Sequence, residues 1–492
     1  MSPAPTTNVL LPRRRSRRRL LAWMMAAVLS LGALGVAGLQ AYKDYRLQQS
    51  FGPLPDDLAE ADAFSVGYQL YIMGMVYARS QVLMEKDTDP RSPLHAPLNT
   101  FNVYPGLAEP GSAIDFTPNN DTVYGLAWLD LRQGPVLLTV PQLPSRYWTI
   151  QATDWALNTF SYIGSRLHSK PGVYAYVAPG WSGALPPGVQ PVEASTTGVF
   201  LQARMVVQPE VPQDIAQVVA ELRRLELRPL NGGARYPEAR TDAPQGNGRV
   251  SDPLWQSLDA FAVMNRAWAF AGVRQQDREI LGMGKRLAIG PGLRFDPAAL
   301  TEAQRRGLRR AVETGYRRVM ASDRDLRKLR NGWVTGTPVG RYGDNRLLAS
   351  TISMVGYGAN APEEAVYLPA FIDSDNNPLT GSKAYRLHFD AQSLPPVNAF
   401  WSVTVYSLPD NQLKENPIGR YAIGDRTPGL QRDPDGGLTI YLQQERPQNT
   451  LASNWLPTGQ GAFWIILRMY EPRDEVISGR YVPPAVVRAT GV

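Results

Sequence analysis

The sequence predicts an α+β protein: two antiparallel β-rich domains, sandwich- or jelly-roll-like, separated by a helical insert and preceded by an N-terminal membrane helix. Three observations carry this. Short runs rich in β-branched and aromatic residues, broken by Pro, Gly, Asn and Asp turns, fill residues 99–210 and return across 340–492. Between them, residues 211–339 show apolar residues at helical spacing. At the start, a basic cluster precedes a long apolar run.

Residues 1–19 form the basic tail, with arginines at 13, 14, 15, 17, 18 and 19. The run Leu20 to Leu39 contains Ser30 as its only clearly polar member, and twenty helical residues cover about 30 Å, the thickness of a hydrocarbon core. Dense arginines favour a cytoplasmic N-terminus, so the chain from Tyr42 onward is expected on the far side. The run reads as a permanent anchor, with a cleaved signal peptide and a buried globular helix as alternatives. Ser16-Arg-Arg-Arg-Leu-Leu21 also has the look of a twin-arginine export signal, against the plainer reading of a positive-inside cluster.

Residues 40–98 are expected to hold a stalk and a first helix, Asp57 to Lys86, with Ala61, Phe64, Tyr68, Met75 and Val76 near helical spacing. In the N-terminal β region the candidate strands are Val123 to Leu131, Pro135 to Val140, Tyr147 to Thr153, Thr159 to Ile163, Val173 to Val177 and Gly198 to Val207. The insert should open with an amphipathic helix, Pro212 to Arg228, and continue through Trp255 to Ala271, Gln275 to Leu287 and a helix from Thr301, capped with Gln304, to about Leu326. In the C-terminal region Ala384 to Phe389, Ala399 to Tyr406, Leu438 to Gln443 and Gly461 to Met469 read as strands.

Composition narrows the function classes. Of the net charge of +7, six belong to the tail arginines, which leaves about +1 for the rest and removes the main support for nucleic-acid binding. With no cysteine, disulfides, thiolate metal sites and cysteine nucleophiles are excluded. Only His95, His168 and His388 offer imidazole. There is no Gly-x-Ser-x-Gly elbow, zinc helix or phosphate-binding loop, and Gly356-Tyr-Gly-Ala-Asn-Ala361 reads as a structural turn. Asp373, Asp375 and Asn377 have the first spacings of a calcium loop, but Pro378 and Ala384 break the pattern, so a β-turn is expected. No metal site and no cofactor is specified.

The densest polar stretch is Thr117-Pro-Asn-Asn-Asp-Thr-Val-Tyr-Gly125. Asn119, Asn120, Asp121 and Tyr124 form one candidate group, and Asp154, Asn158 and Arg166 a second across the next strand turns. Arg420, Asp425 and Arg426 form a third. Carboxylates act as bases, Asn orients a ligand and Arg holds an anion, so Asp121 and Asp154 are the catalytic candidates and the others ligand-binding candidates. The same residue types also build side-chain turns and ion pairs that brace loops.

At these residues the sequence resembles a bacterial family of two paired domains of unknown function, numbered twelve fifty-four and twelve fourteen. The first resemblance runs from about Asp57 to Met205 through Thr117 to Tyr124, Leu129-Asp-Leu131 and Tyr162-Ile-Gly-Ser-Arg166. The second runs from about Gly340 to Val487 through Gly358-Ala-Asn360, Ala399-Phe-Trp-Ser402, Gly424-Asp-Arg426 and Asn454-Trp-Leu-Pro457. It implies two β-rich domains joined through helices in an exported protein, and carries no activity. The expected function is a bacterial envelope protein, at the inner membrane or free in the periplasm, whose β-domain cleft binds a small polar or anionic molecule and, in an enzymatic version, hydrolyses it. The alternative is a non-enzymatic envelope scaffold or carbohydrate-binding module. Expected partners are that ligand and the membrane through the N-terminal helix, with no nucleic acid and room for an oligomer.

Overall fold

The computed structural model describes residues 55–489, apart from 93, 113–116, 118, 209–210, 233–235, 237–245, 247–248, 326–327 and 337–338. The tail, the apolar run 20–39 and the stalk up to residue 54 lie outside the described residues. Among those described, no helix is long and apolar enough to cross a membrane. Two units divide the chain: in Met1–Ala59 only the start of the helix Asp56–Asp87 is described, and Glu60–Val492 holds everything that follows.

The fold is α+β, with several mainly antiparallel sheets. In the N-terminal half the strands are β1 (Asn102–Val103), β2 (Thr122–Asp130), β3 (Val136–Val140), β4 (Trp148–Asp154), β5 (Thr159–Gly164), β6 (Gly172–Val177), β7 (Gln190–Glu193), β8 (Gly198–Val206) and β9 (Glu226–Pro229). They make a five-stranded sheet, β1-β2-β8-β4-β5, and a four-stranded sheet, β7-β6-β3-β9. Val123, Ala127, Ile150, Leu201 and Ala203 of the first share one core with Val136, Leu138 and Tyr176 of the second. The helix Asp214–Leu222 adds Val218, Val219 and Leu222 to this core, and β9 pairs with β3. Residues 214–229 therefore pack with the N-terminal sheets rather than with the helical insert. The amphipathic run expected to stay helical to Arg228 ends at Leu222; Leu225 is buried from the connection that follows, and Leu227 packs on the same core from β9.

The C-terminal half repeats the plan. Its strands are β10 (Lys328–Arg330), β11 (Trp333–Thr335), β12 (Ala365–Ala370), β13 (Tyr385–Phe389), β14 (Val397–Ser407), β15 (Ala422–Gly424), β16 (Leu438–Gln443), β17 (Trp455–Pro457), β18 (Phe463–Pro472) and β19 (Val487–Arg488). A six-stranded sheet, β10-β11-β12-β18-β14-β15, and a four-stranded sheet, β17-β16-β13-β19, close over a second core that includes Leu387, Val403, Ile440, Leu467 and Met469.

Helices form the third layer. Asp56–Asp87 buries Leu70, Tyr71, Met73 and Val76 against Asp259–Ala271, Glu302–Asp325 and Arg346–Val355, and the same cluster takes in Leu126, Trp128 and Phe200 from β2 and β8. Close approach is needed: a Cβ at Gly307 would strike the backbone of Glu60. Thr301 and Gln304 form the reciprocal cap expected at the start of the helix Glu302–Asp325. The helix Arg346–Val355 has no counterpart in the strand and helix runs expected from sequence. It is only ten residues long and opens on a side-chain cap from Asn345.

Candidate functional site

Side chains on a strand alternate between faces, and here both faces of the two central sheets are buried. On β8, Leu201, Ala203 and Met205 enter the N-terminal core while Gln202 and Arg204 stand on the opposite face. On β18, Ile465, Leu467 and Met469 enter the C-terminal core and leave Arg468 and Tyr470 opposite. A buried polar face must find partners. It finds them where the two sheet pairs meet.

Asn119 is the hub of that seam. Its Oδ1 accepts from the Asp121 amide at 3.0 Å, the Thr122 amide at 2.9 Å and Thr122 Oγ1 at 3.0 Å, while its Nδ2 donates to the Tyr470 hydroxyl at 2.7 Å. The Asn119 amide donates to the Tyr124 hydroxyl at 3.3 Å. Asp121 is buried, with Oδ2 accepting from Ser402 Oγ at 2.6 Å and Oδ1 paired with Arg426 Nη2 at 2.8 Å. Arg426 lies over the Phe400 ring at 4.1 Å and donates to the Val207 carbonyl. Asn120 donates to the Ala108 carbonyl at 2.6 Å.

These groups border a cavity of about 240 Å³ whose lining includes Asn120, Asp121, Val207, Arg420, Tyr421 and Arg426. Arg420 Nη1 donates to the carbonyls of Ser453 at 2.8 Å and Trp455 at 3.0 Å, and partial burial lowers its pKa. Asp425 accepts from the Trp401 amide at 3.2 Å. Desolvation of its carboxyl raises the pKa to about 6 although the residue reaches the surface; the Trp401 amide and Arg426 oppose that rise and Asp121 adds to it.

The second candidate group does not join the cavity lining. Asp154 is buried and closes its own turn, Oδ1 accepting from the Ala156 and Asn158 amides at 2.9 Å and Oδ2 from Ser195 Oγ at 2.7 Å. Burial raises its pKa against the pull of Arg274 and those donors. Asn158 Oδ1 accepts from the amides of Tyr342 at 2.8 Å and Gly343 at 3.0 Å. Arg166 is at the seam, paired at 2.6 Å with the buried Glu364, which also accepts from the Tyr147 hydroxyl at 2.8 Å. All three residues brace the chain.

Sequence reasoning passed over Arg204, Glu364, Tyr367, Ser402, Arg468 and Tyr470. The signal was present: Gln202-Ala-Arg204 and Arg468-Met-Tyr470 alternate polar with apolar in strands too apolar overall to leave either face in water. Gly358, at φ +71°, presents its carbonyl to Arg204 Nη2 at 3.1 Å in the turn after the helix Arg346–Val355. Asp373 spends Oδ1 on the amides of Asp375 and Asn377, the β-turn expected there. Among the described residues, one group has metal-ligand spacing: His388, Asp390 and Asp435, with ligand atoms within 4.8 Å of one another. His388 Nδ1 is also 2.9 Å from Thr439 Oγ1 and 3.2 Å from the Asp433 carboxylate.

Residues 98–229 match the family described as "Protein of unknown function (DUF1254)", and residues 364–474 match "Protein of unknown function (DUF1214)". No curated protein matches the chain. Among solved structures, the VPA0106 protein of Vibrio parahaemolyticus is similar in fold, with TM-score 0.65 and 22% identity over 89% of this chain and 100% of that one. An uncharacterised protein from Burkholderia cenocepacia reaches TM-score 0.42 and 13% identity over 88% and 95% of the two chains, too little to support an argument. The chain thus carries matches to both domains of unknown function, the first ahead of the second in sequence.

Proposed function

We propose that the two sheet pairs act as sandwich domains that bind a small polar or anionic molecule in the cavity between them, in a protein held at the bacterial inner membrane by residues 20–39 with its body in the periplasm. The observation that carries the binding reading is Arg420. It borders the cavity, bonds only to carbonyls, and has no carboxylate partner among the described residues, so its charge is available to an anion. Asn120 and Tyr421 on the same lining supply uncharged polar contacts.

Binding is better supported than hydrolysis. A general base must face the substrate with a free oxygen, and Asp121 gives one oxygen to Ser402 and the other to Arg426. Asp425, raised to about 6 by desolvation, is not among the residues that line the cavity. The scaffold reading draws its support from Asp121, Asp154 and Arg166, each of which is spent on bracing.

The test is calorimetric titration of the full chain in mild detergent with phosphate, sulfate, acetate, malonate and a neutral sugar. The binding reading expects at least one anion to bind saturably and Arg420→Gln to weaken it about tenfold or more, as loss of a charge-assisted hydrogen bond would. An affinity unchanged by that substitution, or saturation by the sugar alone, would count against it.

A further inference from the structure

The polar faces of the two central sheets carry more hydrogen-bond donors than acceptors. Arg204 and Arg468 are 5% and 3% exposed, and neither has a carboxylate partner among the described residues. Arg204 donates to Gln151 Oε1, Gln202 Oε1 and the Gly358 carbonyl; Arg468 donates to Thr404 Oγ1, the Thr117 carbonyl and the Tyr406 hydroxyl. Every one of these acceptors is neutral.

The tyrosines deepen the imbalance. A phenol has one proton to give. Tyr124 and Tyr470, 6% and 0% exposed, receive hydrogen bonds from the amide and the side chain of Asn119, and neither donates one among the described residues. The partly buried Tyr367 likewise receives from Asn360 Nδ2 at 2.8 Å and donates none among the described residues. Such protons are costly to leave unmet in an interior.

These groups converge. Tyr124 stands opposite Arg204 in the β2–β8 ladder, and Tyr367 opposite Arg468 in the β12–β18 ladder. Tyr470 shares a face with Arg468, two residues along β18, and its hydroxyl meets the same residue, Asn119, as the hydroxyl of Tyr124 from the other sheet. Asp121 is within electrostatic reach of Arg468, but both its oxygens are committed elsewhere.

We propose that this cluster is a second, buried site for a small oxyanion, with Arg204 and Arg468 supplying charge and Tyr124, Tyr367 and Tyr470 supplying hydroxyl donors. A carboxylate or a phosphate offers the feature the cluster lacks, several strong acceptor oxygens on one negative group. The site is separate from the outer cavity and does not depend on Arg420.

Titration of the full chain with sodium acetate and with inorganic phosphate, at ionic strength held constant with chloride, tests it. Saturable binding by either ion is expected, and the tighter of the two identifies the class. In an Arg420→Gln background, which removes the outer cavity's contribution, saturable binding should remain and Tyr124→Phe should weaken it about tenfold or more. Tyr124→Phe gives up only one long accepted bond, so its ligand-free melting midpoint should stay near that of the parent. Loss of anion binding in Arg420→Gln with full retention in Tyr124→Phe would confine binding to the outer cavity and overturn the buried site. Absence of saturable binding by both ions would overturn it as well, whatever other molecule fills the outer cavity.

Discussion

Asn119 Nδ2 lies 2.7 Å from the Tyr470 hydroxyl, which joins the loop before β2 to the C-terminal end of β18 across 351 residues of chain. The same side chain holds its own turn through Oδ1, so a single amide fixes both the local bend and the mating of the two sheet pairs. Asn119→Ala should cost about 2–4 kcal/mol, the range for losing several buried hydrogen bonds at about 1 kcal/mol each. Asn119→Asp keeps the acceptor but loses the donor to Tyr470. Urea denaturation should therefore show a substantial loss for both, and a parent-like midpoint for Asn119→Ala would mean that the seam holds without this residue.

Asp121 and Arg426 make the companion link. Asp121 is almost fully enclosed whereas Arg426 keeps some solvent contact, so the larger penalty falls on whichever substitution strands the carboxylate. Arg426→Met should destabilise by about 2–4 kcal/mol. The double variant Asp121→Asn, Arg426→Met should lose less than the sum of the two single losses, since the second change removes a charge already without its partner. Strict additivity in a double-mutant cycle would show that the contact contributes nothing.

Much of the architecture was legible because period and punctuation agree. Val123 to Leu131, Gly198 to Val207 and Leu438 to Gln443 appear as strands within a residue or two, and the Thr301–Gln304 cap opens the helix it was expected to open. Leu225 misled because it keeps helical spacing from Leu222, while its two-residue spacing to Leu227 is that of a strand. For the site, Asn119 to Tyr124 and Arg420 to Arg426 stood out as polar loops, and the structure places members of both around one cavity. Asp154 and Asn158 stood out for the same reason and are turn braces. Composition cannot tell the two cases apart, because an Asx turn and a ligand contact use the same atoms. Arg204 and Arg468 were harder to place: their alternation with apolar neighbours marks a buried polar face, but nothing local says which sheet that face meets.

Asp425 sets a pH dependence whose sign follows from its direction of shift. Its pKa is about 6 in the folded protein against an ordinary 3.8, so between those values the native state holds a proton that the unfolded chain releases. Its contribution to stability is full below about pH 3.8 and is lost as pH rises through about 6. Asp154 and Glu471 are raised as well, by burial, and act in the same sense. Asp425→Asn should thus flatten part of the fall in melting temperature between pH 4 and pH 7. A slope identical to the parent's would show that this carboxyl is not desolvated in solution.

The proposed topology rests on residues 1–39. Six arginines ahead of an apolar run of about 20 residues should hold the N-terminus in the cytoplasm and pass the following chain across the membrane. In spheroplasts, added protease should therefore degrade the body while the inner membrane remains intact, and an antibody tag placed before Arg13 should be protected until detergent is added. Survival of the body in intact spheroplasts, with digestion only after lysis, would place it in the cytoplasm and reject the topology. N-terminal sequencing separates the two forms of export: an anchored chain keeps its tail and stays with the membrane after washing in carbonate, whereas cleavage releases a soluble product that starts near the end of the apolar run. Replacing the six arginines with glutamine should weaken orientation in either case, because the charge bias that retains the tail would be gone.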